Sequence, residues 1–393
     1  VRRKFKRFSA YLLFALLLIP ALHASSATTF DLHKTVTADE QVQRILAKDS
    51  WLSVMKQDLT VPIAPTQAKP AVTIPAPSPS TGKKVLGYYA EYSDQDRLSY
   101  NAVAAYGSML TDVSMVAFDA TADGQLKGTA SSHGADVTHS GKLDLYLAVT
   151  NHGEKIFDRE LVHALLNNKQ ATDRLLANLL SKTREFNATG INLDFENVPA
   201  SDRTVYADFI SKLADELHAA GKKLIVSVPA KAVDTPAHSW TYGFDYARIG
   251  AKSDYVQLMT YDEHGPWGAV GPVASYPWVE SVVKYSTKVI PSEKILLGIA
   301  SYGYEWSSAG NRAIPYKAIP DLINQYNGTV TWDEKAKSPK LTYVKDGVTR
   351  TLWYENEQSL KLKRSLVEIY HLGGYGVWRL GFGNQNFWNT LVK

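Results

Sequence analysis

Cysteine is absent from all 393 residues, so no disulfide staples the chain and its fold must rest on packing alone. Charge of one sign is scarce too. The 43 Lys and Arg against 39 Asp and Glu leave +4 at pH 7, and apart from one amino-terminal run the basic residues are dispersed, which argues against nucleic acid as a partner. No Gly-x-Gly-x-x-Gly follows a strand-like run, so a dinucleotide site has no support. His152 and His264 have no partners at metal-ligand spacing, and neither a metal nor a cofactor is expected.

What is present divides the chain into four parts. Arg2, Arg3, Lys4, Lys6 and Arg7 precede an apolar segment, Tyr11 to Leu22, followed by the small residues Ala24 and Ala27. This reads as a signal peptide over residues 1–27, with a core short of the ~20 residues of a membrane span. The expectation is a secreted or cell-wall-associated protein, touching membrane only if that segment stays uncleaved. Residues 28–60 carry Val42, Ile45, Leu46, Leu52 and Met55 at near-helical spacing, an amphipathic region without an assignable role. Residues 61–82 are a proline-rich, semi-rigid linker. The main domain occupies 83–393 and is expected to be monomeric; a hydrophobic content of 45% is ample for a large core.

Within that domain, apolar runs of strand length alternate with helical patterns. The strands are read at Val85–Tyr89, Val113–Asp119, Leu143–Thr150, Ile191–Glu196, Leu224–Val228, Tyr255–Met259, Ile295–Ile299 and Gly376–Trp378. Helices are read at Asp173–Phe186, Ser201–Ala220 and Pro277–Val289, the second capped by Ser201 and Asp202 and stopped at Gly221. Eight alternations predict an α/β fold, a (β/α)8 barrel, over the alternative of a doubly wound sheet. The spacing stretches between the last two strands. There Thr329–Trp332, Lys340–Lys345 and Val348–Trp353, the last pair joined by Asp346-Gly347, predict a small α+β insertion at about 302–354.

The stretch Gly190-Ile191-Asn192-Leu193-Asp194-Phe195-Glu196 organises the site. Alternation puts Asn192, Asp194 and Glu196 on one face of a strand, successive members about 6.6–7 Å apart along the backbone. Barrel sites lie at the carboxy-terminal strand ends. Gln257, Met259 and Tyr261, followed by Asp262, and Trp378 at the last strand collect there as well. Tyr92, Trp240, Tyr242, Trp267, Trp278 and Trp306 fall in expected loops, where two or three could stack on a sugar.

Three of these motifs resemble glycoside hydrolase family 18, the chitinase-like enzymes. The family pattern Asp-x-x-Asp-x-Asp-x-Glu falls here on Thr189, Asn192, Asp194 and Glu196; the last two match and the first two depart. The Asn-x-Asp-x-Glu-Asn-Val form is similar to a bacterial branch that includes spore-cortex-lytic N-acetylglucosaminidases. Met-x-Tyr-Asp at 259–262 and the strand-ending Trp378 also resemble the family, from about Lys84 onward. The resemblance implies retaining, substrate-assisted cleavage of β-1,4-linked N-acetylglucosamine glycans, either peptidoglycan or chitin. Glu196 would be the acid and base. Asp194 would orient the substrate's acetamido group, Tyr261 would donate to its oxygen, and Trp378 would floor the sugar. Asn192, Gln257, Met259, Asp262 and Trp267 would line the substrate site, Asn192 chiefly by supporting Asp194. The alternatives are a non-catalytic, lectin-like barrel, or a hydrolase using a conventional second carboxylate, for which Glu305 and Asp262 are the candidates.

Overall fold

Eight strands close on themselves in parallel. The computed structural model describes residues 82–93, 95–153 and 157–393; the expected signal peptide, the expected amphipathic region and all but the end of the expected linker lie outside the described residues. In chain order the strands are β1 (Lys84–Tyr89), β2 (Asp112–Ala120), β3 (Leu126–Gly128), β4 (Asp144–Thr150), β5 (Gly190–Asp194), β6 (Lys223–Pro229), β7 (Tyr255–Met259), β8 (Ile295–Ala300), β9 (Tyr302–Trp306), β10 (Arg312–Pro315), β11 (Thr329–Asp333), β12 (Ser338–Lys345), β13 (Val348–Trp353) and β14 (Gly374–Trp378). The sheet order β1-β14-β8-β7-β6-β5-β4-β2 returns to β1, and short β3 folds back on β2. All eight barrel strands fall where the apolar runs put them. The one difference in extent that matters is β5, which ends at Asp194, two residues short of Glu196.

The helices cover the barrel for the reasons their sequences suggest. The helix Lys169–Glu185 starts on Asn168, whose side chain accepts from Gln170 and Ala171 N–H, and buries Ala171, Leu175, Leu176 and Leu179 on one stripe. The helix Arg203–Ala219 ends as expected at Gly221, where φ is +70°, a conformation glycine adopts without a Cβ penalty. Its start differs from expectation. A 3-10 turn, Ala200–Asp202, precedes it, and the Asp202 carboxylate makes no cap; it bonds His163 Nδ1 at 2.8 Å and Asn167 Nδ2 at 3.2 Å.

Between β8 and β14 the chain builds an antiparallel sheet, β10-β9-β13-β12-β11, with the helix Ile319–Tyr326 on one side. Its β12–β13 hairpin turns at Asp346 and Gly347, both at positive φ, as Asp-Gly predicts. The sheet has two unlike faces. Tyr302, Tyr304, Trp306 and Trp353 pack with Tyr261, Trp267 and Trp378. Ile314, Leu341, Tyr343, Leu352 and Tyr354 pack with the helix. The insertion therefore walls one side of the barrel mouth with aromatic residues.

Candidate active site

The register of β4 on β5 pairs Thr150 with Asp194, so Asp194 ends its strand at the barrel's carboxy-terminal rim. Phe195 turns outward and stacks against Tyr206 and Phe209 of the covering helix, with ring centroids 6.3 and 6.4 Å away. Glu196 follows, beyond the strand. Its position is set from β4: the Asn151 side chain accepts from the Glu196 N–H at 2.8 Å and donates to the Glu196 carbonyl at 2.9 Å. Asn151 is fully buried and also reaches the Asp158 carbonyl at 3.2 Å. Asp194 and Glu196 are 9% and 5% exposed, so little bulk water reaches either carboxylate. Asn197 then turns the chain at φ +55°.

Asn192 is expected chiefly to support Asp194 and otherwise to line the substrate site. It is fully buried, and its amide is spent inside the barrel. Nδ2 donates to Tyr88 Oη and Ser114 Oγ, both at 2.9 Å, and Oδ1 accepts from Ser227 Oγ at 3.0 Å. Tyr88 Oη and Ser227 Oγ lie 2.9 Å apart, which closes a ring: Asn192 donates to Tyr88, Tyr88 to Ser227, and Ser227 back to Asn192. This ring lies beneath Trp378, whose indole is 5.4 Å from the Tyr88 ring. Gln257 is likewise fully buried, its Nε2 donating to the Leu258 carbonyl at 3.1 Å, and it too is a support.

Tyr261 projects from the end of β7 at the boundary of the aromatic wall. Burial raises its phenol pKa well above the ordinary value of 10.0, and Tyr88, Asp194 and Asp262 raise it further against a hydrogen bond from Gln257. Tyr261 thus stays a hydrogen-bond donor at any working pH. Met259 is half-buried at the strand end opposite Pro229 of β6. Asp262, at φ +64°, ties the barrel to the insertion: its Oδ1 accepts from Tyr302 Oη at 2.5 Å and Tyr304 Oη at 2.8 Å. Trp267 meets the Tyr304 ring edge-on at 5.8 Å. Trp378 is half-buried, and its peptide bond to Arg379 is cis.

The two expected departures from the acidic pattern are both accommodated. Thr189 donates to Asp144 at 3.1 Å at the foot of the strand, far from the acids along β5. Among the loop aromatics, Trp278 and Trp306 are corrections: the first lies in the helix Tyr276–Ser286, the second in β9 and 6% exposed. Tyr242 lies under the Arg203 guanidinium, 4.7 Å from its ring centre. Glu305 is the clearest correction. It sits on the helix-covered side of the insertion, with Arg312 Nε at 2.8 Å, Arg350 Nη1 at 2.9 Å and Tyr343 bonded to its other oxygen. Burial opposes ionisation there, but these partners together hold its pKa below the usual 4.5. No cluster of three His, Asp or Glu able to hold a metal occurs among the described residues.

Sequence reading missed Asn151, Tyr88, Ser114, Ser227, Tyr302 and Tyr304. The first had one visible signal: it is the residue that follows the strand run Leu143–Thr150.

A barrel with two acids at one strand end, a protonated tyrosine beside them and an aromatic wall defines a glycosidase of the chitinase-like class. Comparison with known sequences agrees: the profile of glycosyl hydrolases family 18 matches residues 84–383, and the chain belongs to that family. It is 32% identical over 316 residues to YvbX, an uncharacterized glycosylase of Bacillus subtilis, covering 79% of this chain and 92% of that one. It is 30% identical over 294 residues to the cortical fragment-lytic enzyme of B. subtilis, covering 72% and 67%. A chitinase from Chromobacterium violaceum superposes with a TM-score of 0.73 at 34% identity, covering 79% of this chain and 98% of that one.

Proposed function

We propose that this glycosidase cleaves β-1,4-linked N-acetylglucosamine glycans, peptidoglycan in preference to chitin, by retaining, substrate-assisted catalysis. The observation that carries the mechanism is the pair of buried acids at the end of β5, Asp194 and Glu196. Glu196 is positioned by its own backbone clamp beside Asp194, and neither of the other acids weighed as a conventional partner is free to act: Glu305 is held by two arginines on the far side of the insertion, and Asp262 by two tyrosines. With neither Glu305 nor Asp262 placed to form a glycosyl ester, the substrate's 2-acetamido oxygen attacks the anomeric carbon. Glu196 gives its proton to the leaving oxygen. Asp194 accepts from the acetamido N–H and offsets the positive charge of the oxazolinium. Tyr261, fixed as a donor, bonds the acetamido oxygen. Trp378 presents its ring beneath the sugar, and Glu196 then takes a proton from the attacking water.

Peptidoglycan is favoured because the strand motif resembles that of the cortex-lytic branch and because a relative is named for cortical fragment lysis. A wall substrate calls for export, which the basic and apolar stretch at residues 2–22 fits. The test is hydrolysis of purified peptidoglycan and of chitin oligomers by the full chain, with products read by mass. Muropeptides ending in N-acetylglucosamine are expected. Glu196→Gln should abolish turnover and retain binding; undiminished turnover by that variant refutes the mechanism. Binding without products by the unaltered chain would leave a lectin on the same barrel.

A further inference from the structure

Behind the insertion, on the side away from the catalytic acids, lies a cavity of about 280 Å³. It opens at the seam where the helix Ile319–Tyr326 and the end of β13 meet the starts of the helices Glu357–Ile369 and Gln385–Val392. Tyr316, Tyr354 and Ile323 supply an apolar wall; Glu355, Asn356 and Asn384 supply the polar one. None of these residues belongs to the site described above.

Three features give this cavity a chemistry. Glu355 is 1% exposed; one carboxylate oxygen is bonded by Lys363, and the other, Oε2, is buried with no hydrogen-bond partner. This oxygen is closed to solvent, so a ligand donor satisfies it only where neighbouring side chains shift to admit it. Asn356 and Asn384 each spend Oδ1 on a helix start, at Ser359 N–H (2.9 Å) and Phe387 N–H (3.1 Å). Their Nδ2 groups make no hydrogen bond among the described residues and remain as donors. Finally, Tyr316 and Tyr354 give ring surface beside these groups. Burial raises the pKa of the Tyr316 phenol, with Glu357 and Glu355 adding to it, so it too stays protonated.

The charge in the cavity is balanced, since Lys363 answers Glu355 and Lys361 lies 2.6 Å from Glu357. An anion would meet two carboxylates, and a cation would find both already paired. A neutral ligand with an apolar face and hydroxyls on its edge matches aromatic walls set among donors and an acceptor. The volume is just below the ~300–1,000 Å³ of drug-sized sites and suits a single ring. We propose that this cavity is a second, non-catalytic sugar site that holds one neutral pyranose residue of a glycan chain. That the sugar is N-acetylglucosamine, and that the site tethers the enzyme to its own polymer, rests on the function proposed above.

The experiment titrates the full chain with N-acetylglucosamine, glucose and inorganic phosphate while following backbone amide shifts by NMR. Saturable shifts at residues 354–357 and 384–386 with a sugar, and none with phosphate, are expected. Ile323→Trp, which fills the cavity from the insertion helix, should abolish them and lower retention on insoluble glycan about tenfold, with hydrolysis of a short soluble oligomer unchanged. Asn386→Ala, on the exposed rim, should weaken them in a chain with an undisturbed core. Absence of saturable shifts with every sugar, shifts produced by phosphate alone, or shifts that persist in Ile323→Trp overturn the proposal. The two readings fail separately. A chain that hydrolyses glycans without these shifts loses the second site only, and one that shows the shifts without hydrolysis loses the catalytic reading only.

Discussion

Removing the Asn151 side chain tests whether Glu196 is placed by β4 as well as by its own strand. Because β5 ends at Asp194, the Glu196 peptide lies outside the ladder, and the Asn151 amide satisfies both its N–H and its carbonyl. Asn151→Ala removes two hydrogen bonds to that peptide and a third to Asp158. Each is worth about 1 kcal/mol net, but a buried backbone group left unpaired costs about 1–3 kcal/mol, so a loss of about 2–4 kcal/mol in stability is expected. The catalytic effect should exceed what stability alone explains. A reacting group displaced by about 1 Å costs on the order of 10²-fold in rate. With the variant kept below its melting temperature, kcat on a soluble oligomer should fall about 100-fold while KM stays within about threefold, since the sugar contacts are elsewhere. Asn151→Asp keeps an acceptor for the Glu196 N–H and should be intermediate in both stability and kcat. A folded Asn151→Ala enzyme with kcat near that of the parent would refute the argument that this side chain positions the acid.

Other perturbations probe the supports of the site. A Cβ at Gly376 would lie 1.8 Å from Gln257 Oε1, so Gly376→Ala should cost about 1–3 kcal/mol, with Gln257→Ala in the same chain recovering part of the loss in thermal unfolding. Tyr302→Phe with Tyr304→Phe deletes both bonds to Asp262 Oδ1, each worth about 1.5–3 kcal/mol when the acceptor is charged, and kcat/KM should fall about tenfold in steady-state assays. Glu305 ionises more readily in the fold than its ordinary 4.5, so it adds stability above that pH, lost as pH falls through the lower folded value. Urea unfolding should accordingly show Glu305→Gln weaker than the parent at about pH 6, the gap closing on acidification; a pH-independent gap would contradict the assignment.

The barrel was legible because most of its strands are near-continuous apolar runs, a pattern that depends on local sequence alone. The Asp-Gly hairpin was legible for the same reason: Asp346 and Gly347 set their own backbone angles. What escaped was whatever depended on a partner distant in the chain. Asp202 has the sequence of a cap, yet its carboxylate goes to His163, 39 residues away. Glu305 looked like an acid near the barrel mouth. Its face was decided by β9, whose pairing with β10 and β13 put Tyr302 and Tyr304 toward the barrel and therefore Glu305 away from it. The β9 and β10 strands themselves were not read: β9 does alternate, Tyr302, Tyr304 and Trp306 against Gly303 and Glu305, but β10 has only four residues, Arg312–Pro315, too few to carry a period. For the site, the acids and Tyr261 were visible as residue types at strand ends, whereas the clamp on Glu196 required knowing that β4 and β5 are neighbours.

The same distinction bears on the position where Asn192 departs from the family's acid. Its ring of hydrogen bonds with Tyr88, Ser114 and Ser227 uses both amide hydrogens and the carbonyl, so the asparagine is held in one orientation with nothing to titrate. Asn192→Asp would place a carboxylate two residues before Asp194 on the same strand face. At about 7 Å and an effective dielectric near 20, two such charges repel by roughly 2 kcal/mol, enough to shift an ionisation by 1–2 pH units if both charges are present. The repulsion would be relieved by one of the two staying protonated to a higher pH, as coupled carboxylates do. Above the pH at which both ionise, the added negative charge makes it harder for Glu196 to lose its proton, so the alkaline limb of kcat/KM should move up by about one pH unit. Tyr88 and Ser114 would have to turn their hydroxyls toward the new oxygen, since the amide hydrogens they accept would be gone, and this reorientation breaks the ring and lowers the maximal rate. An Asn192→Asp enzyme with the parent's pH profile and rate would mean that the buried ring is electrically insulated from the acids above it, and that the neutral residue at this position has no bearing on how the site ionises.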